Sequence, residues 1–242
     1  VFFAKEFENK NLINHIVFIC DHASNYIPRK YRKLGVSDSD LESHIAFDIG
    51  AKNLTINLAK KLKQSYFLSN FSRLLIDPNR KKTDIELITV RSFGVEIPKN
   101  MYISAQEREH RINFFYDYYH KNLGNFVKKK IHKYKKVFLI SIHSFTKNSK
   151  NFNRGIEVGL LWNQSMDLLL PIQRKLKDKK IHFGRNYPYS GFHYNNTIDR
   201  ICMNFDLKNI TIEIRNDLIC YQKGIKNYVK LMSNIFKEFL NE

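Results

Sequence analysis

The sequence predicts an α/β fold: a mostly parallel mixed sheet covered by helices on both faces. Three observations point there. Short uninterrupted apolar runs, such as Ile16-Val17-Phe18-Ile19-Cys20 and Val137-Phe138-Leu139-Ile140-Ser141-Ile142, have the length and β-branched content of strands buried on both sides. Stretches with apolar residues at helical spacing separate those runs. Polar clusters follow the ends of the runs, where an open parallel sheet places its ligand crevice.

Taken in order, the first strand is 16–20. A helix is expected over 46–63, with Ala51, Leu54, Leu58 and Leu62 on one face. Leu74-Leu75-Ile76 reads as a short strand closed by the turn Asp77-Pro78-Asn79. A long helix is expected from Ser104 to Lys133, with Ser104 and Glu107 at capping-box spacing. Strands follow at 137–142 and 156–162, a helix at 164–178, and a strand at 210–214. The last element, 223–240, aligns Ile225, Tyr228, Val229, Met232, Phe236 and Phe239 on one face. The chain has 242 residues, nine Gly and five Pro, with no repeat or low-complexity seam, so residues 1–242 are expected to form a single domain.

Composition narrows function by exclusion. Apolar types make up 43% and charged types 26%, an ordinary globular balance. No apolar run approaches the roughly 20 residues of a membrane-spanning helix. Lys and Arg number 41 against 23 Asp and Glu, a net charge of +18. The lysines are scattered singly and in short runs such as Lys128-Lys129-Lys130. A small anionic substrate is therefore expected before nucleic acid. Three cysteines without CxxC spacing fit a reducing compartment, and VFFAKEFENK does not read as a secretory signal, so a cytoplasmic location is expected. Oligomeric state has no signature in the sequence.

The chemistry gathers at strand ends. His22 follows the first strand and His143 closes a second, and two imidazoles converging on one crevice suit a divalent ion, zinc above all. Glu213 sits inside the apolar strand Ile212-Glu213-Ile214, where a carboxylate needs either a partner or a catalytic task. Arg215, two residues on, is an expected ion-pair partner on the same face. Asn79 and Arg80 are turn residues or a carboxylate clamp. Arg73 is either an oxyanion stabiliser or the ion-pair partner of Asp77. Tyr189 either closes over a substrate or packs. Of the remaining histidines, His44, His110, His120, His132 and His182 are expected on surfaces or helices outside the chemistry, and His193, after the Tyr-Ser-Gly turn, stays a candidate.

These segments carry a resemblance. SIHSF (141–145), TIEIR (211–215) and DPNR (77–80) are similar to the second zinc-histidine strand, the glutamate strand and the Asn-Arg element of the zinc carboxypeptidases. CDHASNYIP (20–28), HIAFDIGA (44–51), SRLLIDPNR (72–80), SIHSF, RNYPYSG (185–191) and IEIRNDL (212–218) resemble, in order, the N-formylglutamate amidohydrolase family. The resemblance implies a zinc-carboxypeptidase-like (phosphorylase/hydrolase-like) fold and zinc-dependent hydrolysis of N-formyl-L-glutamate to formate and glutamate, a step of histidine breakdown. It implies His22 and His143 as zinc ligands, Glu213 as base, and Asn79 and Arg80 as substrate-carboxylate residues, with Arg73, Arg215 and Tyr189 beside them. The peptidases carry a Glu three residues after the first histidine; here Asn25 stands there, and Asp48 is the substitute ligand. Alternatives are a deacylase or small carboxypeptidase with another acyl group, or a basic non-catalytic polyanion binder.

Overall fold

Seven strands form the central sheet of the computed structural model, which describes residues 1–7, 12–149 and 152–241. They are β1 (Phe2–Lys5), β2 (Asn14–Cys20), β3 (Ser65–Ser69), β4 (Lys136–Phe145), β5 (Val158–Leu161), β6 (Phe183–Arg185) and β7 (Lys208–Arg215), in the spatial order β1-β3-β2-β4-β7-β5-β6. The four central strands β3, β2, β4 and β7 run parallel. β1 and β5 pair antiparallel with β3 and β7, so the sheet is mixed, as expected.

Alternation along the strands builds two cores. In β2, Ile16, Phe18 and Cys20 face one layer while Val17 and Ile19 face the other, and all five are fully buried. The first layer holds α1 (Ala51–Leu62), α4 (Met166–Asp178) and α6 (Gln222–Asn241). The second holds α3 (Tyr118–Ile131) and α5 (Asn196–Phe205), and α2 (Ala105–Arg111) borders it through the buried Arg111, which donates to Leu75 O. No helix among the described residues is long and apolar enough to cross a membrane.

Three expectations change in detail. The first helix begins only at Ala51, because Gly50 adopts φ +82° and residues 46–49 lead the chain past the sheet. A Cβ at position 50 would lie 2.3 Å from the Ile219 carbonyl oxygen, so glycine is required there. The long helix after Ser104 is realised as α2 and α3 joined by a π-helical stretch, Ile112–Asp117. Ser104 does cap it, its hydroxyl accepting from Glu107 N at 3.1 Å, while the Glu107 carboxylate turns to Arg111. Leu74-Leu75-Ile76 is a buried turn and not a strand. Side chains replace a sheet partner there: Asn100 Nδ2 donates to Leu74 O and Arg111 Nη1 to Leu75 O. β1, β3, β6 and α5 are elements beyond those expected from the sequence, although α5 buries Ile198, Ile201 and Cys202 along one amphipathic face.

Candidate active site

Asp21 and His22 leave the carboxyl end of β2, His143 lies near the end of β4, and Glu213 lies near the end of β7. The turn before α1 adds Asp48, whose backbone N–H donates to His22 O at 2.9 Å and so ties the two segments together. The side chains of His22, Asp48 and His143 are all buried, and one ligand atom from each lies within 4.8 Å of the others. Asp48 sits between the imidazoles: Oδ2 is 2.8 Å from His143 Nδ1 and Oδ1 is 3.4 Å from His22 Nδ1. Ser144 N–H donates to the same Oδ2 at 3.2 Å. Asp48 is thus turned into the crevice instead of capping α1.

The far nitrogen of each imidazole faces a second carboxylate. His22 Nε2 is 2.7 Å from Asp77 Oδ1, and because that carboxylate only accepts, Nε2 carries the proton and the Nδ1 lone pair faces Asp48. His143 Nε2 is 3.4 Å from Asp21 Oδ2, and Asp21 Oδ1 accepts from the Tyr119 hydroxyl at 2.8 Å. Burial opposes charge on His143, but Asp21 and Asp48 outweigh it and hold the imidazole well above its ordinary pKa in the chain alone. Burial also opposes charge on Asp48 and Asp77, and their interactions with His22 first, then with His143 for Asp48 and Arg73 for Asp77, outweigh it and keep both carboxyls low.

This set fits a divalent ion. Two imidazole nitrogens and one carboxylate oxygen are a donor set of the kind that can hold a divalent metal ion, with a second carboxylate facing the far nitrogen of each imidazole. Asn25 takes no part, since its amide donates to Leu41 O and Glu42 Oε1.

Glu213 is the direct β-ladder partner of His143 in β4 and of Gly159 in β5. Its Oε2 is buried and has no hydrogen-bond partner among the described residues. Burial raises its pKa to about 7, although His143 and His22 pull it down. Gly159 leaves the room this needs, for a Cβ there would stand 3.1 Å from Glu213 Cβ and 2.7 Å from Tyr187 O.

Around these groups lies a cavity of about 570 Å³ that also reaches His44, Arg73, Arg80, Arg154, Tyr189 and Tyr194. Arg73 Nη2 pairs with Asp77 Oδ2 at 2.8 Å, while Nη1 stands 3.3 Å from His22 Nδ1, so it is an ion-pair partner that also borders the crevice. Tyr189 lines the cavity and accepts from Arg154 Nη1 at 3.2 Å. One expectation gains detail and one is corrected. The Asn79 side chain lines the cavity and also braces its own loop, donating one N–H to Tyr194 O and accepting from Thr197 N, which leaves its second N–H for a ligand. Arg215 does not border the cavity; at the last position of β7 it pairs with Asp217 Oδ1 at 2.7 Å and donates to Ile156 O, and these partners hold its guanidinium outside the site.

Asp21, Asp77 and Arg154 carry parts of this arrangement that sequence reasoning did not assign. The first two stand inside segments already singled out, beside His22 and at the head of the Asp77-Pro78-Asn79-Arg80 turn. Arg154, in an irregular segment before β5, gave no signal.

Comparison with known proteins bears on the family and the fold. The family model described as N-formylglutamate amidohydrolase matches residues 14–220. The crystal structure of gene product Atu2144 from Agrobacterium tumefaciens superposes with a TM-score of 0.91 at 28% identity, covering 99% of this chain and 94% of that one. The N-formylglutamate amidohydrolase from Ralstonia eutropha JMP134 shares the fold, with a TM-score of 0.78 at 18% identity, covering 99% and 98%. No curated protein matches the sequence significantly.

Proposed function

The chain belongs to the N-formylglutamate amidohydrolase family, and on that premise we propose that it hydrolyses the amide of N-formyl-L-glutamate, or of a closely related N-acyl acidic amino acid, with zinc held by His22, Asp48 and His143. One observation carries the reading: a three-residue ligand set and an unpartnered buried glutamate open into the same cavity.

When bound, a divalent ion supplies Lewis-acid chemistry, polarising an amide carbonyl and acidifying water. The chain's own residues do the rest. Glu213, with one free carboxylate oxygen and a pKa near neutrality, takes a proton from the attacking water and delivers it to the departing amide nitrogen. The amide C–N bond breaks as the new C–O bond is kept, giving formate and glutamate. Asp77 and Asp21 fix the imidazole orientations through that cycle. Arg73, anchored by Asp77 and facing the crevice, supplies positive potential where the carbonyl oxygen gains charge. The global charge of +18 favours entry of a dianion. The reading treats residues 1–242 as one catalytic domain acting in the cytoplasm.

The test is formate release from N-formyl-L-glutamate by the purified protein, before chelation, after chelation, and after zinc restoration. Loss and recovery of the rate are expected. A rate indifferent to chelation would end the metal assignment, and no formate at any stage would end the substrate assignment.

A further inference from the structure

Four arginines border the cavity, and three of them are already neutralised. Arg73 pairs with Asp77 at 2.8 Å, Arg80 with Glu86 at 3.3 Å and more distantly with Asp84 and Asp77, and Arg91 with Glu96 at 3.6 Å. Arg154 differs. It is only 7% exposed, yet among the described residues no carboxylate stands within ion-pair distance of it. Its Nη1 donates to Thr146 O at 3.2 Å and to the Tyr189 hydroxyl at 3.2 Å, with Thr146 Oγ1 at 3.4 Å. Its guanidinium carbon lies 5.0 Å from the Tyr189 ring centroid and 5.8 Å from that of Phe145. These neutral contacts hold the plane in place, and among the described residues nothing accepts from Nε or Nη2.

A buried guanidinium without a counter-anion is costly, and the fold retains it only if an anion arrives. We propose that Arg154 is the carboxylate receptor of this cavity, binding one carboxylate of an N-acyl acidic amino acid through its unused edge, with Tyr189 holding the guanidinium in register. The inference deepens the hydrolase reading and rests on it only for the identity of the acyl group. It also moves a role. Arg80 is the residue expected to hold a substrate carboxylate, but its charge is already met by Glu86, Asp84 and Asp77. A carboxylate on Arg154 gains a planar, two-point geometry that a lysine does not offer.

The probe is glutarate, a dicarboxylate with no amide, titrated calorimetrically into the full chain, with the neutral glutaramide as control. Arg154→Gln is expected to weaken glutarate by at least about tenfold and leave glutaramide unchanged, and Arg154→Lys to fall between. The ligand-free melting temperature of Arg154→Gln is expected to equal or exceed that of the wild type, because an uncompensated charge has been removed. A purely structural arginine predicts the reverse, so a lower ligand-free melting temperature with the same weakening for glutaramide overturns the proposal. Unchanged glutarate affinity in Arg154→Gln overturns it too, as does failure of the wild type to bind glutarate. Should Arg154→Gln not fold, Arg154→Lys carries the test, and wild-type affinity in that variant overturns the two-point geometry. Arg154-dependent glutarate binding by a protein that releases no formate from N-formyl-L-glutamate would end that substrate assignment and leave this proposal standing.

Discussion

His143 and Glu213 are ladder partners on the parallel strands β4 and β7, so backbone pairing alone sets how the imidazole and the carboxylate face the crevice. Strand register is strongly specified here, because a slip of one residue would turn both side chains into the apolar layer that Ile142, Ile212 and Ile214 occupy. The proposed metal ligand and the proposed base beside it are therefore held on paired strands of the central sheet.

Glu213→Gln is expected to lower kcat by two to four orders of magnitude, the usual worth of a general base, while stoichiometric zinc uptake is retained. Formate release and metal analysis on the same preparation check this. Turnover within tenfold of wild type would remove Glu213 from the chemistry.

The same substitution has a signature in the metal-free protein. Burial raises the folded Glu213 pKa to about 7 from an ordinary 4.5, so the fold favours the neutral carboxyl. That contribution is present below about pH 4.5 and is lost as pH rises through about 7. Metal-free Glu213→Gln should therefore outlast wild type at pH 8, by at most a few kcal/mol, and match it near pH 4.5. Chemical denaturation at the two pH values measures it; a variant less stable at pH 8 would contradict the assignment.

Asp77→Asn and Asp21→Asn remove the outer carboxylates behind His22 and His143. Each is expected to weaken zinc by about 10- to 100-fold with little change in the far-ultraviolet spectrum. Competition with a chromophoric chelator reads the affinity, and wild-type affinity in both variants would show the outer shell to be idle.

His15 tests the fold away from the site. Burial, aided by Lys130 and Lys133, lowers its pKa to about 3, and its ring stacks on Tyr134 at 4.2 Å and meets Ser65 Oγ at 2.9 Å. Because the folded value is depressed, the stability it protects is present above about 6.5 and lost as pH falls toward about 3. Between pH 7 and 4 wild type is expected to lose about 3 kcal/mol more than His15→Phe, which keeps the stacking and cannot titrate. Parallel acid-stability curves would refute this.

Gly50→Ala should cost about 2 kcal/mol or more, from the positive φ and the contact with Ile219 O. Asp48 lies two residues upstream, so zinc affinity is expected to fall with stability. Denaturant titration and chelator competition on one variant test the link; unchanged zinc affinity in a destabilised protein would uncouple them.

Much of this molecule is written in runs of residue type. The strand 16–20, the strand around Val137–Ile142 and the amphipathic face of α6 are legible because burial on one or two sides demands apolar residues at a fixed period. The same rule misreads Leu74-Leu75-Ile76, which is apolar because it is buried, but whose carbonyls are met by Asn100 and Arg111 instead of a neighbouring strand. Period reports burial, and backbone partners can come from anywhere.

His22, His143 and Glu213 could be singled out from sequence because polar residues at the ends of buried strands are conspicuous. What no linear pattern contained is who faces whom. Asp48 rather than Asn25 turns inward, Asp77 serves His22 and Arg73 at once, Asn79 braces its own loop as it lines the cavity, and Arg215 stays outside the cavity while Arg154 enters it. Local chemistry along the chain determined the elements and the kinds of group at their ends. Partner choice was decided only when strands from distant parts of the chain came together, since hydrogen bonds and ion pairs act over a few ångströms of space, whatever the separation in sequence.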